Sequence, residues 1–367
     1  MRGPDHEARR ARAWADVLAR DPGVDAFLVT GQANVRYLCG FTGSNGALLL
    51  SSSEPVLGTD GRYLLQAGQE CPGVELLIDR QTVRALVGRW HAGRSGGPGQ
   101  RLAVESQHLS VEDYLAMAAA VEGAESLVPV SGIVEGLRAV KDAGEMSLIR
   151  TACEISDAAL AAVLPSVRTG QTERDVARRL EATMLAMGAD GVSFATIVGS
   201  GPNSAIPHHA PSLRPLAVGD LLVIDFGAEV GGYHADETRT FVLGEATSWQ
   251  ADLYGLVLSA QESARAAAVA GASLVDVDRA ARGAITAAGY GDAFDHGLGH
   301  GVGLEIHEAP FLGPRAVGML PDDSAVTVEP GVYLPGRGGV RIEDTVAISD
   351  GPSVPITATD RGLTVLG

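Results

Sequence analysis

Leu221 to Leu243 reads LLVIDFGAEVGGYHADETRTFVL. Two strand-like runs flank Gly231-Gly232, and a Gly-Gly pair between such runs signals a two-residue hairpin loop. A hairpin with that loop pairs Val230 with Tyr233, and the same register sets Asp225 opposite Thr238. Asp236 lies two residues from Thr238 and shares its face. The two carboxylates are then diagonal neighbours, within about 8 Å at the backbone. Two aspartates inside an otherwise apolar hairpin are costly unless something compensates them. A shared metal ion would do so; a wet face, or pairing with Arg239, would also do so.

Three further stretches bear on this hairpin. DHGLGHGVGLEIHEAP, Asp295 to Pro310, carries His296, His300 and His307, three of the nine histidines in the chain. Gly297, Gly299, Gly301 and Gly303 oppose a helix, so a glycine-rich loop that brings imidazoles close to a ligand is expected. AVTVEPGVY, Ala325 to Tyr333, alternates as a strand that Pro330 ends, with Glu329 at its close. GVRIEDTVAI, Gly339 to Ile348, reads as one strand with Val340 and Ile342 on one face and Arg341 and Glu343 on the other. Each glutamate alone is a surface carboxylate on an edge strand. Together, two Asp, two Glu and one His make a hard, oxygen-rich donor set suited to two divalent ions such as Mn²⁺ rather than a thiolate zinc site.

The half of the chain that holds these stretches repeats itself. Ala-rich helices are expected over Glu145–Leu164 and Gln250–Ala270, each followed by a second helix, glycine and strands. An offset of 101 residues separates Asp175 from Asp276 and Gly188 from Gly289. Glu329 and Glu343 follow Asp225 and Asp236 at offsets of 104 and 107, which suggests a site on a pseudo-two-fold axis. The earlier half differs. A helix over His6–Ala19 precedes short apolar runs at Asp25–Val29, Gly46–Leu50, Val74–Ile78 and Arg101–Val104, with a helical pattern over Thr82–His91. That alternation predicts an α/β domain. Ala92–Gln100 (AGRSGGPGQ) reads as a flexible loop, and the domain boundary falls near Leu137–Asp142.

Composition bounds the function. A chain of 367 residues suggests about two domains. With 46% hydrophobic and 20% charged residues it is an ordinary globular sequence, not a disordered one. A net charge of −17 disfavours nucleic acid, since phosphate backbones repel it. Cys39, Cys71 and Cys153 are scattered and odd in number, which reads as reduced thiols. The charged N-terminus has no apolar core of a signal peptide, and no apolar run is long enough to span a membrane. A cytoplasmic protein without membrane contact is expected.

The ligand pattern from about Lys141 to Ile348 resembles the pita-bread metallopeptidases, the family of aminopeptidase P, prolidase and methionine aminopeptidase. YLCGFTGSNGALLL, Tyr37 to Leu50, and TDGRYLLQA, Thr59 to Ala67, resemble the N-terminal domain of aminopeptidase P, which methionine aminopeptidase lacks. Creatinase shares the architecture but works without metal and lacks the full ligand set. The resemblance implies an α/β N-terminal domain over 1–137 and an α+β pita-bread domain over 138–367 with an internal pseudo-two-fold repeat. It implies Asp225 and Asp236 on one metal, His300 and Glu329 on the other, and Asp236 and Glu343 bridging. Mn²⁺ is the family expectation; Co²⁺ or Zn²⁺ also suit such carboxylates.

Three more residues follow from the resemblance. His208 matches a histidine lining the substrate pocket, with His209 a rival for the place. His307 matches one that bonds the scissile amide region. Arg341 matches an arginine beside the metals, where an ion pair with a ligating carboxylate would make it a supporting group. The implied reaction is hydrolysis of the bond before proline, with Glu329 carrying the proton to the leaving nitrogen and His307 at the oxyanion. The expected activity is that of an Xaa-Pro aminopeptidase on short proline-containing peptides, in a homodimer. An Xaa-Pro dipeptidase is the alternative, and a non-catalytic peptide-binding module, which generally loses metal ligands, is a third.

Overall fold

The structure, a computed structural model, describes residues 4–92, 100–121 and 124–367. It divides between Arg138 and Ala139 into two compact units. Among the described residues of the first unit, helices α1 (His6–Arg20), α2 (Gln32–Cys39), α3 (Leu64–Glu70), α4 (Thr82–Ala92), α5 (Val111–Ala120) and α6 (Ile133–Arg138) accompany one sheet. Its strands are β1 (Ala26–Val29), β2 (Gly46–Ser51), β3 (Val56–Thr59), β4 (Glu75–Ile78), β5 (Leu102–Glu105) and β6 (Leu127–Val130), in the order β4-β3-β2-β1-β5-β6. β1, β5 and β6 run parallel, as do β3 and β4, while β2 is antiparallel to both its neighbours. Ala26, Leu28, Leu102 and Val104 meet Leu86, Val87 and Met117 of α4 and α5 in its core. The glycine-rich stretch after α4 lies, apart from its two ends, outside the described residues. The three cysteines are free and buried, and Cys39 Sγ donates to the Val35 carbonyl at 3.1 Å.

The second unit shows the repeat. Helices α7 (Ala143–Val163) and α8 (Glu173–Ala186) cover a sheet of order β20-β12-β9-β8: β8 (Ile197–Ser200), β9 (Leu221–Phe226), β12 (Glu237–Leu243) and β20 (Thr364–Leu366). Helices α9 (Ser248–Ala267) and α10 (Leu274–Ala287) cover the second sheet, β14-β13-β15-β18-β19. Its strands are β13 (Gly299–Gly301), β14 (Glu308–Leu312), β15 (Ala325–Val328), β18 (Asp344–Ala347) and β19 (Val354–Pro355). β7 (Gly191–Val192), β10 (Ala228–Val230) and β11 (Tyr233–His234) form a small sheet, and β16 (Gly331–Leu334) pairs with β17 (Gly338–Arg341). Capping boxes start both α7 (Asp142 with Glu145) and α8 (Thr172 with Asp175), each side chain accepting from the other residue's backbone amide. Gly188 and Gly289, at φ 103° and 87°, follow the ends of α8 and α10 as left-handed stops.

The hairpin register is the one the glycine pair predicts. Val230 pairs with Tyr233 and Asp225 with Thr238, and both loop glycines take positive φ, 58° and 79°. Two local readings change. Gly339–Ile348 is not one strand: the backbone breaks at Ile342-Glu343, because the Glu343 amide crosses to the Thr238 carbonyl at 3.1 Å. β17 therefore pairs with β16, and β18 with β15. His300 sits on the short strand β13 rather than in a loop. The flanking glycines are there for close approach, since a Cβ at Gly299 or Gly301 would strike the carbonyls of Thr327 or Ala309. No helix among the described residues is long and apolar enough to cross a membrane.

Candidate metal centre

Strand alternation builds this site. On β9, Leu222, Ile224 and Phe226 pack under α7 and α8, so Asp225 points to the opposite face. On β12, Phe241 and Leu243 join the same core while Thr238 and Thr240 lie opposite. On β15, Val326 and Val328 face the α9–α10 core and Thr327 faces away. The faces turned from the helices thus carry threonines and acids. Asp236 precedes β12, Glu329 follows β15, and Glu343 stands at the break before β18.

These groups converge. One ligand atom each from Asp236, His300 and Glu343 lies within 4.8 Å of the other two. His300 Nε2 is 3.5 Å from Asp236 Oδ2 and 3.3 Å from Glu329 Oε1. Thr238 donates to Glu343 Oε2 at 2.5 Å, and Thr327 donates to Glu329 Oε1 at 3.1 Å. Arg341 spans the cluster's edge: Nη2 donates to Asp225 Oδ2 at 2.6 Å, Nε to Thr238 Oγ1 at 3.0 Å, and Nη1 to the Tyr333 hydroxyl at 2.8 Å. His296 Nδ1 faces the Gly297 carbonyl at 2.8 Å and so carries a proton; Nε2, 3.0 Å from Tyr333, then accepts from its hydroxyl.

The electrostatics are unbalanced. Burial, then Glu343, Asp225 and Glu329, push the Asp236 carboxyl well above the usual carboxylate range. Burial and the neighbouring Glu329 and Asp225 do the same to Glu343. Asp225 rises through burial despite Arg341. Glu329 goes the other way, to about 2, because His300 outweighs its burial. Burial also pushes Tyr333 up to about 12.

Do these residues fit divalent cations? Asp225 Oδ1 is buried with no hydrogen-bond partner. His300 Nδ1 meets the Gly301 carbonyl at 3.1 Å, which fixes its proton there and turns the Nε2 lone pair toward two carboxylates. That arrangement is repulsive unless Nε2 meets a proton or a cation. Buried carboxylate oxygens plus one imidazole, short of positive charge, fit hard divalent ions.

The cluster forms one wall of a cavity of about 850 Å³. Phe194, Ile197, Ile306 and Phe311 supply apolar lining; His208, His296 and His307 supply imidazoles; Arg315, exposed, is a further lining residue. The rings of His300 and His307 meet edge to face at 4.4 Å. Residues 147–350 match the model of Metallopeptidase family M24. The chain belongs to that family. Residues 12–140 match the Creatinase/Prolidase N-terminal domain, so the α/β unit followed by a pita-bread unit is established for this M24 protein. It is 42% identical over 234 residues to the Xaa-Pro dipeptidase of Pyrococcus furiosus, covering 64% of this chain and 67% of that one. Its fold is similar to the Xaa-Pro dipeptidase from Bacillus anthracis (TM-score 0.91, 35% identity, 99% of this chain and 100% of that one). It is also similar to the X-Pro aminopeptidase from Thermotoga maritima (TM-score 0.84, 36% identity, 94% and 98%). This M24 chain is therefore an enzyme, a metallopeptidase of a family that uses two divalent metal ions.

Within it, Asp225, Asp236, His300, Glu329 and Glu343 come together as one group, and Arg341 is ion-paired to Asp225. Arg239 does not reach the hairpin aspartates: it pairs with Glu237 and Asp344 behind them. His208 and His209 both line the cavity, and His209 Nε2 is held 2.8 Å from Glu173. Sequence reading missed Tyr333, Thr238, Arg315 and Glu173. Tyr333, four residues past Glu329, was the nearest to a legible signal.

Proposed function

We propose that this protein is an Xaa-Pro dipeptidase, hydrolysing the bond between an N-terminal residue and a C-terminal proline. The observation that carries the reading is the buried, under-neutralised carboxylate group on the cavity wall. Asp225 and Asp236 would hold one divalent ion, His300 and Glu329 a second, and Asp236 and Glu343 would be shared. Mn²⁺ is the proposed native ion. Bound there, such ions supply charge for a developing oxyanion and make water a better nucleophile at neutral pH.

The chain's own residues do the rest. Glu329, kept ionised by its hydrogen bonds, accepts the proton of the attacking water and returns it to the proline nitrogen. That nitrogen belongs to a tertiary amide with no N–H, so it leaves only after it gains a proton. His307 has its pKa lowered by burial and by His300, so its ring stays neutral and donates to the carbonyl oxygen. His208 holds the substrate from the facing wall. Arg341 and Tyr333 keep Asp225 oriented. The apolar lining suits a pyrrolidine ring, and exposed Arg315 offers a cation to the free carboxylate of a dipeptide.

The resemblance by itself placed an aminopeptidase first. The names carried by the relatives support the dipeptidase more, and the likeness to the Thermotoga maritima enzyme keeps the aminopeptidase as the second reading. The test is cleavage by metal-stripped protein with and without added Mn²⁺, Co²⁺ or Zn²⁺. Ala-Pro and Ala-Pro-Ala are the substrates, with Ala-Ala-Ala and Met-Ala-Ser as controls. Metal-dependent cleavage of Ala-Pro alone is expected. Equal or faster cleavage of Ala-Pro-Ala gives the aminopeptidase, and no cleavage of either by metal-loaded protein rejects proline specificity. In the same assay Arg315→Ala should raise KM for Ala-Pro about 10-fold, the worth of one charged hydrogen bond, and leave Ala-Pro amide unaffected.

A further inference from the structure

The loop from Gly201 to Leu213 carries His208 to the cavity wall, and one carboxylate outside the cavity lining gathers that loop. Glu173 is the first residue of α8 and is fully buried. Its Oε1 accepts from the Ser200 amide at 2.8 Å, Ser200 Oγ at 2.7 Å and Asn203 Nδ2 at 3.0 Å. Its Oε2 accepts from the Ser212 amide at 3.0 Å, Ser212 Oγ at 2.6 Å and His209 Nε2 at 2.8 Å. Backbone bonds from the amides of Glu173 and Arg174 to the carbonyls of Arg214 (3.2 Å) and Ser212 (3.1 Å) lock the far end of the loop. Both ends of the loop and the residue after His208 therefore meet at one anion. On the other side of His208, the Pro207 carbonyl accepts from Arg341 Nη1 at 3.2 Å. His208 is suspended between these two anchors.

We propose that Glu173 is a positioning residue for the reaction: through His209, Ser200 and Ser212 it sets where His208 stands, without touching substrate itself. This rests on the reading of His208 as a substrate contact. The charge is essential to the device. Burial pushes the carboxyl up, but the bonds from Ser212, Asn203, His209 and Ser200 outweigh it and hold it at about 2, so the group is an anion at every working pH. A glutamine there would aim its NH₂ at donors and leave several of them unmatched. An aspartate would keep the charge but reach one methylene less far.

The experiment uses metal-loaded full-length protein carrying Glu173→Gln, Glu173→Asp, His208→Ala and the Glu173→Gln/His208→Ala pair. It follows kcat and KM on Ala-Pro, bound metal, Tm, and the ¹³C-labelled histidine ring signals. Glu173→Gln should lower kcat/KM by about 10- to 100-fold, the cost of misplacing a group near the reaction. The loss should fall on the same kinetic parameter as in His208→Ala. The double variant should be no worse than His208→Ala, Glu173→Asp should recover part of the loss, and bound metal should stay constant. The His208 and His209 signals should move while that of His300 stays. Additive losses in the double variant, or an unmoved His208 signal, overturn the proposal. If Glu173→Gln does not fold, Glu173→Asp and His209→Gln, each paired with His208→Ala, decide the same question. If wild-type protein does not cleave Ala-Pro, the dipeptidase reading fails, and the ring signals alone still decide whether Glu173 places His208.

Discussion

Each unit of this molecule holds a compact carboxylate–histidine group, and the two differ in how many protein donors meet their carboxylates. In the first unit, ligand atoms of Glu105, His108 and Glu135 lie within 4.8 Å of one another, as do those of Asp236, His300 and Glu343 in the second. Yet Glu105 Oε2 accepts from the Thr30 and Gly31 amides at 2.6 and 2.8 Å. Asn34 Nδ2 donates to Glu105 Oε1 and Glu135 Oε1, both at 2.7 Å, and Arg138 steadies Asn34 at 2.8 Å. His108 adds a further contact to Glu135 at 2.8 Å. Glu135 is therefore held at about 2, because His108 and Asn34 outweigh its burial, although the more deeply buried Glu105 is raised. In the second unit Asp236 and Glu343 rise together. Proximity of acids does not define a cation site; a shortage of protein donors does.

The sharpest way to break this comparison is to remove one acid from each group. Glu343→Ala should lose bound metal and at least about 100-fold in kcat/KM, since even groups supporting a ligand are worth 10- to 100-fold. Glu135→Ala should leave both within about twofold, as a change outside the cation cluster would. Metal analysis beside kinetics reads both, and metal lost from Glu135→Ala would end the distinction.

A smaller effect sharpens it through pH. In metal-free protein the Asp225, Asp236 and Glu343 carboxyls titrate above their unfolded values. The fold then binds protons that the unfolded chain has released, so stability falls as pH rises above the ordinary carboxylate range. Cations remove that penalty by replacing the protons. The rise in Tm on adding Mn²⁺ should therefore grow from pH 5 to pH 7.5, and a rise that shrinks with pH would contradict the charge balance drawn for the site.

Glu135 of the first unit should behave in the opposite sense. Glu135 titrates at about 2, below its ordinary 4.5, so its stabilisation is present above pH 4.5 and fades as pH falls toward 2. Glu135→Gln should lower Tm at pH 7 and matter least near pH 3. Smallest on activity is Asn34→Ala, which strips a shared donor from buried Glu105 and half-buried Glu135. It should cost about 1–3 kcal/mol of stability in a denaturant titration, with kcat/KM and metal content unchanged.

Much of the second unit is legible in the chain because its signals are local. A Gly-Gly turn and period-two alternation set the hairpin register, so Asp225 and Asp236 share a face before any tertiary contact is known. The repeat offset, a similarity between two stretches of chain rather than a contact, points to Glu329 and Glu343. What local periodicity could not reach was the strand break at Glu343, caused by an amide that bonds across to β12. It could not choose between His208 and His209, because the group that holds His209, Glu173, lies 36 residues away in sequence. Glu173 and the Glu105–Glu135 group were likewise hidden, since their partners lie tens of residues away, as does His296 from Tyr333.

By itself, then, this sequence pointed to two domains and a repeat of helices and strands, and set Asp225 and Asp236 on one face, because backbone period and turn chemistry act over a few residues; the choice of His300 came from the family resemblance. Only the tertiary structure decided which of those charges are left without donors. Burial and hydrogen bonding between distant segments set that balance, and it separates Asp236 and Glu343, raised by burial and by neighbouring carboxylates, from Glu135, quieted by His108 and Asn34.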